Sequence, residues 1–204
     1  MNKKAQKKAK QIVGIFSHPA AVARATRIKT LVPIKLTVSQ AKSKKETEEV
    51  AKFFIPLKNK NDGRVAEIPM NTIGKIYGHR GYNITRIIEQ IPILFETSIL
   101  GWSEPEKQDE DKKPHPNIKE YHHYINKFTD GISEYFIRFT LSEEKAKPGK
   151  TGKNIIHSTA ISCTIAYKNG DGSQRIRVIN PGEANSSPFL DLRLVDFFKS
   201  VKQD

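Results

Sequence analysis

The chain has 204 residues, of which 37% are hydrophobic, and this is enough apolar material for one sizeable core or two small domains and too much for a disordered chain. Its formal charge of +13 at pH 7 favours a polyanionic partner such as nucleic acid, with a basic protein that binds nothing specific as the alternative. A lone cysteine, Cys163, excludes a disulfide framework. No apolar run approaches the ~18 residues that span a bilayer, and IVGIF is too short for a secretory signal, so we expect a cytoplasmic protein without a membrane partner.

Residues 1–48 are interpreted as a basic N-terminal extension. The lysine-rich residues 1–11 can act as a phosphate-seeking arm or as a solvated terminus. Two short β-branched runs, IVGIF and LVPIKLTV, flank a basic helical stretch, AAVARATRIKT. KSKKETEEVAKFF predicts an exposed helix, because Lys44 and Glu48 stand at i,i+4 spacing.

The central part of the chain predicts a hairpin followed by helices. FFIPLKNKNDGRVAEIP contains the turn Asn61-Asp62-Gly63 between two apolar runs, which is a strong hairpin signal. From Met70 to Leu100 the apolar residues recur at helical spacing, with Gly78 and Gly81 as a break. The following WSEPEKQDEDKKPHPNIKE predicts a polar loop.

After this loop the hydrophobic periodicity changes to two. Four successive strands are predicted, over Tyr121–Phe128, Glu134–Leu141, Ile155–Tyr167 and Arg175–Ile179. SPFLDLRLVDFFKSV predicts a helix that packs back on the sheet. The expected fold class is therefore α+β, with N-terminal helices followed by a four-stranded antiparallel meander and a C-terminal helix. The corresponding division is an extension at 1–48, an α+β domain at 49–182 and the C-terminal helix at 183–204.

Alternation divides the second of these strands into two faces. The core face carries Tyr135, Ile137, Phe139 and Leu141, whereas Phe136, Arg138 and Thr140 point the other way. If the strands pair, Arg138, Thr140, Ser158 and Ser162 line an exposed surface that is small, polar and basic, and suits an approaching phosphate. An ordinary half-solvated sheet is the alternative.

The preceding strand, YHHYINKF, contains two adjacent histidines that must point to opposite faces. His122 shares a face with Asn126, and His123 shares the other with Lys127. Because of this divergence, and because no HExxH, CxxC or HxH occurs, we expect no metal centre and no cofactor. Metal-free RNA cleavage fits better, since it needs a base, an acid and cations or hydroxyls around the phosphate. Histidine, arginine, lysine, serine and threonine supply all of these.

Three segments carry a resemblance to a known group: GKIYGHRGYNITRIIEQIP, HHYINKFTDGISEYFIRFTL and IHSTAIS. They resemble the phage- and mobile-element-encoded nuclease domains of the barnase–EndoU–colicin–RelE group, which often occur as modules of large polyvalent phage proteins. The resemblance covers about half of the chain. It implies one or two helices followed by a four-stranded antiparallel meander, and a metal-independent ribonuclease of the toxin or effector kind. RNA is then the favoured partner, and an antitoxin or immunity protein is left open.

The resemblance, with the pattern of faces, selects the candidate residues. The catalytic candidates are His79, Arg138, Thr140, Ser158, His122 and His157, with His123 as the alternative to His122. The candidates for binding nucleic acid are Arg80, Lys127, Lys150 and Lys153. The alternative function is a non-catalytic nucleic-acid-binding or phage-associated interaction module.

Overall fold

The structure, a computed structural model, describes residues 19–70, 84–106, 117–146, 152–168, 174–179 and 198. Its helices are α1 (Pro19–Lys29), α2 (Lys44–Ala51), a 3₁₀ helix (Ile84–Gln90) and α3 (Ile91–Glu96). Its strands are β1 (Ile34–Lys35), β2 (Leu57–Lys58), β3 (Val65–Ala66), β4 (Ile99–Pro105), β5 (Ile118–Thr129), β6 (Glu134–Glu144), β7 (Asn154–Lys168) and β8 (Gln174–Ile179). None of the helices in the described ranges has the length and hydropathy needed to cross a bilayer.

Six strands form one mixed sheet in the order β1-β5-β6-β7-β8, and β4 also pairs with β5. The α+β class is confirmed. The four-stranded antiparallel meander is wrong as a description of the sheet, because antiparallel β4 and parallel β1 extend it beyond β5. Sequence periodicity misses β4 because a register shift between Leu100 and Trp102 breaks the alternation that marks a strand.

One face of the sheet packs against the 3₁₀ helix, α3 and the β2–β3 hairpin. As alternation predicts, Tyr135, Ile137, Phe139 and Leu141 all lie in this core. The ring of Phe95 in α3 meets Tyr124 and Phe139 edge-on, with ring centroids 5.5 and 5.6 Å away. Such contacts add to the burial of apolar area that drives the helix onto the sheet.

The opposite face carries a second hydrophobic cluster, and of the residues expected on an exposed polar surface there, Thr140 is buried and Arg138 is half-buried. The side chains of Ser158 and Ser162 lie outside the described part of the structure. Trp102, Ile125 and Phe136 point to this face and are buried by α1 through Ala21, Ala25 and Ile28. Large apolar side chains on both faces require both to be covered. The predicted extension therefore contributes a packed helix, while its lysine-rich tail lies outside the described residues.

The predicted C-terminal helix also lies outside the described residues, except for Phe198. This side chain is buried in the second cluster, with its ring 4.9 Å from that of Phe136 between centroids.

The β2–β3 hairpin forms where the Asp-Gly signal predicts it, and Gly63 takes a φ of +76° that side-chain-bearing residues rarely adopt. Asn59 is fully buried under this turn. Its side-chain amide donates to the carbonyls of Phe95 and Ser98, each at 2.9 Å. The turn is thereby tied to the start of β4.

The turn between β5 and β6 is organised by Asp130. Its carboxylate accepts hydrogen bonds from the backbone N–H groups of Ile132 and Ser133 and from the Tyr135 hydroxyl. Burial alone would raise the pKa of Asp130, but these hydrogen bonds to the charged form outweigh burial and lower the pKa below its ordinary value.

Candidate functional site

The two adjacent histidines of β5 point to opposite faces and stand at the centres of two different polar clusters. In the register of the sheet, His122 lies opposite Ser103 on β4, whereas His123 lies opposite Trp102 on β4 and Thr140 on β6. We call the first group the His122 cluster (Arg64, Ser103, Lys119, Glu120, His122 and Glu143). We call the second the His123 cluster (Trp102, Glu104, His123, Arg138 and Thr140).

The members of the His123 cluster are joined by hydrogen bonds and a ring stack. Arg138 Nη1 donates to Thr140 Oγ1 at 2.6 Å and lies 3.1 Å from Nδ1 of His123. The other ring nitrogen, Nε2, lies 3.1 Å from Glu104 Oε1, and the Trp102 ring stacks on the imidazole with centroids 4.5 Å apart. His123 is fully buried and Thr140 is 7% exposed. Both ring nitrogens of this imidazole thus have a neighbour at hydrogen-bond distance, and the one at Nδ1 is a cation.

The His122 cluster places one imidazole between a hydroxyl and a carboxylate. Ser103 Oγ lies 2.7 Å from Nδ1, and Glu143 Oε2 lies 2.8 Å from Nε2. A carboxylate only accepts hydrogen bonds, so Nε2–H donates to Glu143 and the unprotonated Nδ1 accepts from Ser103. The hydrogen bonds therefore select the tautomer with its basic nitrogen directed at Ser103.

Two cations lie beside the Glu143 carboxylate of this cluster. Lys119 Nζ lies 2.7 Å from Glu143 Oε1, and Arg64 Nη1 lies 3.5 Å from Oε2 of the same residue. The hydrogen bond from Lys119 lowers the pKa of Glu143 most, and that from His122 adds to the effect. Burial lowers the pKa of His122, although its hydrogen bond to Glu143 acts in the opposite direction. Both shifts favour a neutral imidazole beside an ionised carboxylate.

The His122 cluster reaches solvent through its charged members. His122 itself is 2% exposed, but the side chains of Lys119 and Glu120 are 58% and 31% exposed. Arg64 Nη1 is buried, and within the described part of the chain it has no hydrogen-bond partner. Buried polar groups in proteins are almost always hydrogen-bonded, and the acceptor nearest to this N–H group among the ion pairs of the cluster, Glu143 Oε2, lies 3.5 Å away.

The predicted residues fall into different places. Arg138 and Thr140 meet with His123, and the sheet separates them from His122, so the predicted set does not form one site. The register pairs Ser158 on β7 with Thr140, next to His157 in the same strand. His79, Arg80 and Lys150 lie outside the described residues.

The two remaining lysines form ion pairs elsewhere. Lys127 pairs with Glu134 at 2.6 Å, and Lys153 pairs with Glu67 at 3.3 Å. Neither lysine belongs to the His122 cluster or to the His123 cluster.

Sequence reasoning missed five members of the His122 cluster: Arg64, Ser103, Lys119, Glu120 and Glu143. One signal was present for Glu143. The alternation that assigns Phe139 and Leu141 to the core face places Glu143, two residues further, on the same face. Ser103 and Arg64 have no comparable signal, because the sequence predicts a polar loop where Ser103 lies in β4, and the hairpin's position on the sheet is a tertiary feature.

Three ligand atoms in the His122 cluster are close enough to share a metal ion. They belong to Glu120, His122 and Glu143, and they lie within 4.8 Å of one another. The expectation of no metal centre rested on the divergence of the two histidines. It overlooked carboxylates that the sheet brings beside one of them.

A protein-family model described as "Large polyvalent protein-associated domain 3" matches residues 39–156, which is more than half of the chain. The matched stretch contains every residue of both clusters. Among curated proteins and among solved structures, nothing matches the chain.

Proposed function

This chain belongs to the large polyvalent protein-associated domain 3 family, and on that premise we propose that it is a metal-independent endoribonuclease. The family agrees with the coarser part of the resemblance, a domain associated with phages and mobile elements. The nuclease activity, a toxin-like role and RNA as partner are our proposal. It is supported by the net charge of +13 and by the chemistry of the His122 cluster.

The observation that carries the proposal is the buried Nη1 of Arg64 beside His122 and Glu143, which has no hydrogen-bond partner among the described residues. A phosphodiester oxygen is a natural acceptor for a guanidinium N–H. A phosphate bound there would also lie near the Lys119 ammonium, which sits on the other oxygen of Glu143.

The imidazole of His122 can carry the proton through the reaction. Nδ1, which accepts from Ser103, takes the 2′-hydroxyl proton as the 2′-oxygen forms its bond to phosphorus. Glu143 stabilises the resulting imidazolium through Nε2–H. The imidazolium then returns the proton to the 5′-oxygen as its bond to phosphorus breaks. Arg64 and Lys119 neutralise charge on the pentacoordinate phosphorus.

The test is cleavage of total RNA by the full chain in the presence of EDTA, with two variants and one control. His122→Gln should lower the rate by about 10²–10⁴-fold, the usual contribution of general acid–base catalysis. Arg64→Gln should lower it by about 10²–10³-fold, as for loss of a donor to a developing charge. Lys52→Gln, which removes an exposed cation from the pair with Glu49, should leave the rate nearly unchanged. Intact RNA with the wild-type chain, or full activity in a folded His122→Gln chain, rules the proposal out.

The second candidate is a non-catalytic nucleic-acid-binding module. It is favoured by the hydrogen bonds that the predicted residues Arg138 and Thr140 already make with each other and with His123. It predicts binding that weakens steeply with salt and no turnover. A third option, an active site at the His123 cluster, is tested by Arg138→Ala. Cleavage lost with Arg138→Ala and kept with His122→Gln would move the active site to the His123 cluster.

A further inference from the structure

We propose that Glu120, His122 and Glu143 bind a divalent transition metal ion of the Zn²⁺ type, and that the bound ion switches the His122 cluster off. The binding part stands on the geometry of these residues alone. The switching part rests on the ribonuclease proposed above.

The separations of the ligand atoms suit one small ion. His122 Nε2 lies 2.8 Å from Glu143 Oε2 and 3.9 Å from Glu120 Oε1. Ligands about 2.0–2.2 Å from a tetrahedral zinc ion lie roughly 3.3–3.6 Å from one another, so the two separations from His122 bracket the required value, and all three ligand atoms lie within 4.8 Å of one another. Small rotations of the two glutamate side chains, both partly exposed, would bring their oxygens into place.

The chemistry of the ligands selects the class of ion. An imidazole nitrogen with two carboxylates suits zinc and its first-row neighbours, whereas Mg²⁺ and Ca²⁺ prefer sites made of oxygen atoms. Ser103 supplies the outer partner that metal-binding histidines usually have, since its Oγ lies 2.7 Å from Nδ1. When a metal occupies Nε2, the ring proton moves to Nδ1 and is donated to Ser103.

The Lys119 ammonium provides a positive charge to the two carboxylates that would bind the metal ion. It lies 2.7 Å from Glu143 and 3.8 Å from Glu120, so it bridges two of the three ligands. The side chain is 58% exposed and can swing into solvent when a divalent cation arrives. Lys119 therefore competes with the metal, and removing it should strengthen binding. A residue with a purely structural role would not have this effect.

A bound metal is incompatible with proton transfer by His122. With Nε2 on the metal and a proton on Nδ1, the imidazole has no lone pair left to take the 2′-hydroxyl proton. The ion also neutralises Glu143, which would otherwise stabilise the imidazolium. Saturation with Zn²⁺ should therefore stop cleavage, and EDTA should restore it.

The binding test is titration of the full chain, without an affinity tag, by isothermal calorimetry with Zn²⁺ alone. Glu120→Gln and His122→Gln should each weaken the site by about 10–100-fold or more, and Ser103→Ala by about 10-fold. Lys119→Gln should tighten it about two- to fivefold, the size of an exposed ion pair. A hundredfold excess of Mg²⁺ should not displace the zinc. Thermal melting of each variant checks that it is folded.

Glu67→Gln is the matched control, because it also removes the carboxylate of an exposed Lys–Glu pair, here with Lys153. It should bind zinc as the wild type does. No zinc binding, equal affinity in folded Glu120→Gln and wild-type chains, or equal loss in Glu67→Gln would overturn the metal site. Displacement of the zinc by Mg²⁺ would overturn the argument that the imidazole ligand makes the site prefer zinc-type ions.

A separate cleavage assay tests the switch. If zinc binds at this site and does not inhibit RNA cleavage, the proposed switch is wrong but the metal site stands. A chain that binds zinc at these residues and never cleaves RNA removes the proposed function and its switch but not the metal site. The two failures are therefore distinguishable.

Discussion

Replacing Asn59 with alanine should loosen the hairpin turn that carries Arg64 to the His122 cluster. The amide nitrogen of Asn59 donates to two carbonyls and to the hydroxyl of Ser98 at 2.9–3.2 Å. Its amide oxygen accepts from the backbone N–H groups of Asn61 and Asp62 at 2.9 and 3.2 Å. The backbone N–H of Asn59 also donates to the Arg64 carbonyl at 2.8 Å, which closes the turn. The side chain thus joins α3, β4 and the hairpin at one buried point.

The magnitude follows from these five side-chain contacts. A hydrogen bond contributes about 0.5–1.5 kcal/mol net, and an unsatisfied buried group costs about 1–3 kcal/mol. The two carbonyls keep other donors, from the Ser98 hydroxyl and the Asn61 amide, so the larger penalty does not apply in full. We expect Asn59→Ala to lower the free energy of unfolding by about 2–4 kcal/mol. For a chain of this size that is a fall of about 4–16 °C in Tm.

The assay is urea denaturation followed by the fluorescence of Trp102, the single tryptophan of the chain. Lys60→Ala is the matched control, because Lys60 is the next residue in the same turn and its exposed ion pair with Glu96 contributes at most about 1 kcal/mol. A loss below about 1 kcal/mol for Asn59→Ala, or an equal loss for Lys60→Ala, would refute the reasoning.

Three further outcomes follow from other parts of the fold. Hydrogen bonding outweighs burial and lowers the pKa of Asp130, so the stabilisation that its carboxylate provides is present above the unfolded pKa near 4 and is lost as pH falls through the folded pKa. Asp130→Asn should therefore make the urea midpoint depend less on pH between pH 5 and pH 2.5. The same dependence in the variant and the wild type would contradict this. Phe139→Ala, in the core under α3, should cost about 3–5 kcal/mol, while Ile132→Ala in an exposed turn should stay within about 0.5 kcal/mol; similar losses would contradict the assigned burial. A Cβ at Gly101 would come within 2.8 Å of Ile125 Cδ1, so Gly101→Ala should cost about 1–3 kcal/mol in urea denaturation. Adding Ile125→Val removes that methyl and should recover part of the loss, and strictly additive effects would argue against the clash.

Local signals in the chain predict much of the fold. The Asp-Gly turn predicts the β2–β3 hairpin, and period-two alternation predicts β5 to β8 and the two faces of β6. The i,i+4 pair of Lys44 and Glu48 marks α2, where the two charges lie 3.8 Å apart. These elements were predictable because turn chemistry and side-chain alternation act over only a few residues.

The sites were less predictable, because their members come together only when strands pair. Alternation by itself determines that His122 and His123 point to opposite faces and that Arg138 and Thr140 share one. It cannot tell which histidine joins them, since this depends on the register of β5 against β6.

Only the tertiary structure decided three things: that α1 covers the face of Arg138, that β4 brings Ser103 to His122, and that the hairpin brings Arg64 to Glu143. The physical reason is the distance along the chain over which each kind of interaction acts. Propensity and periodicity act between near neighbours in the chain, whereas a proton-transfer or metal site needs side chains far apart in sequence at hydrogen-bond distance. Here the β2–β3 hairpin and strands β5 to β8 follow from the sequence alone, and the packing of β4 and the hairpin against β5 and β6 creates the His122 cluster.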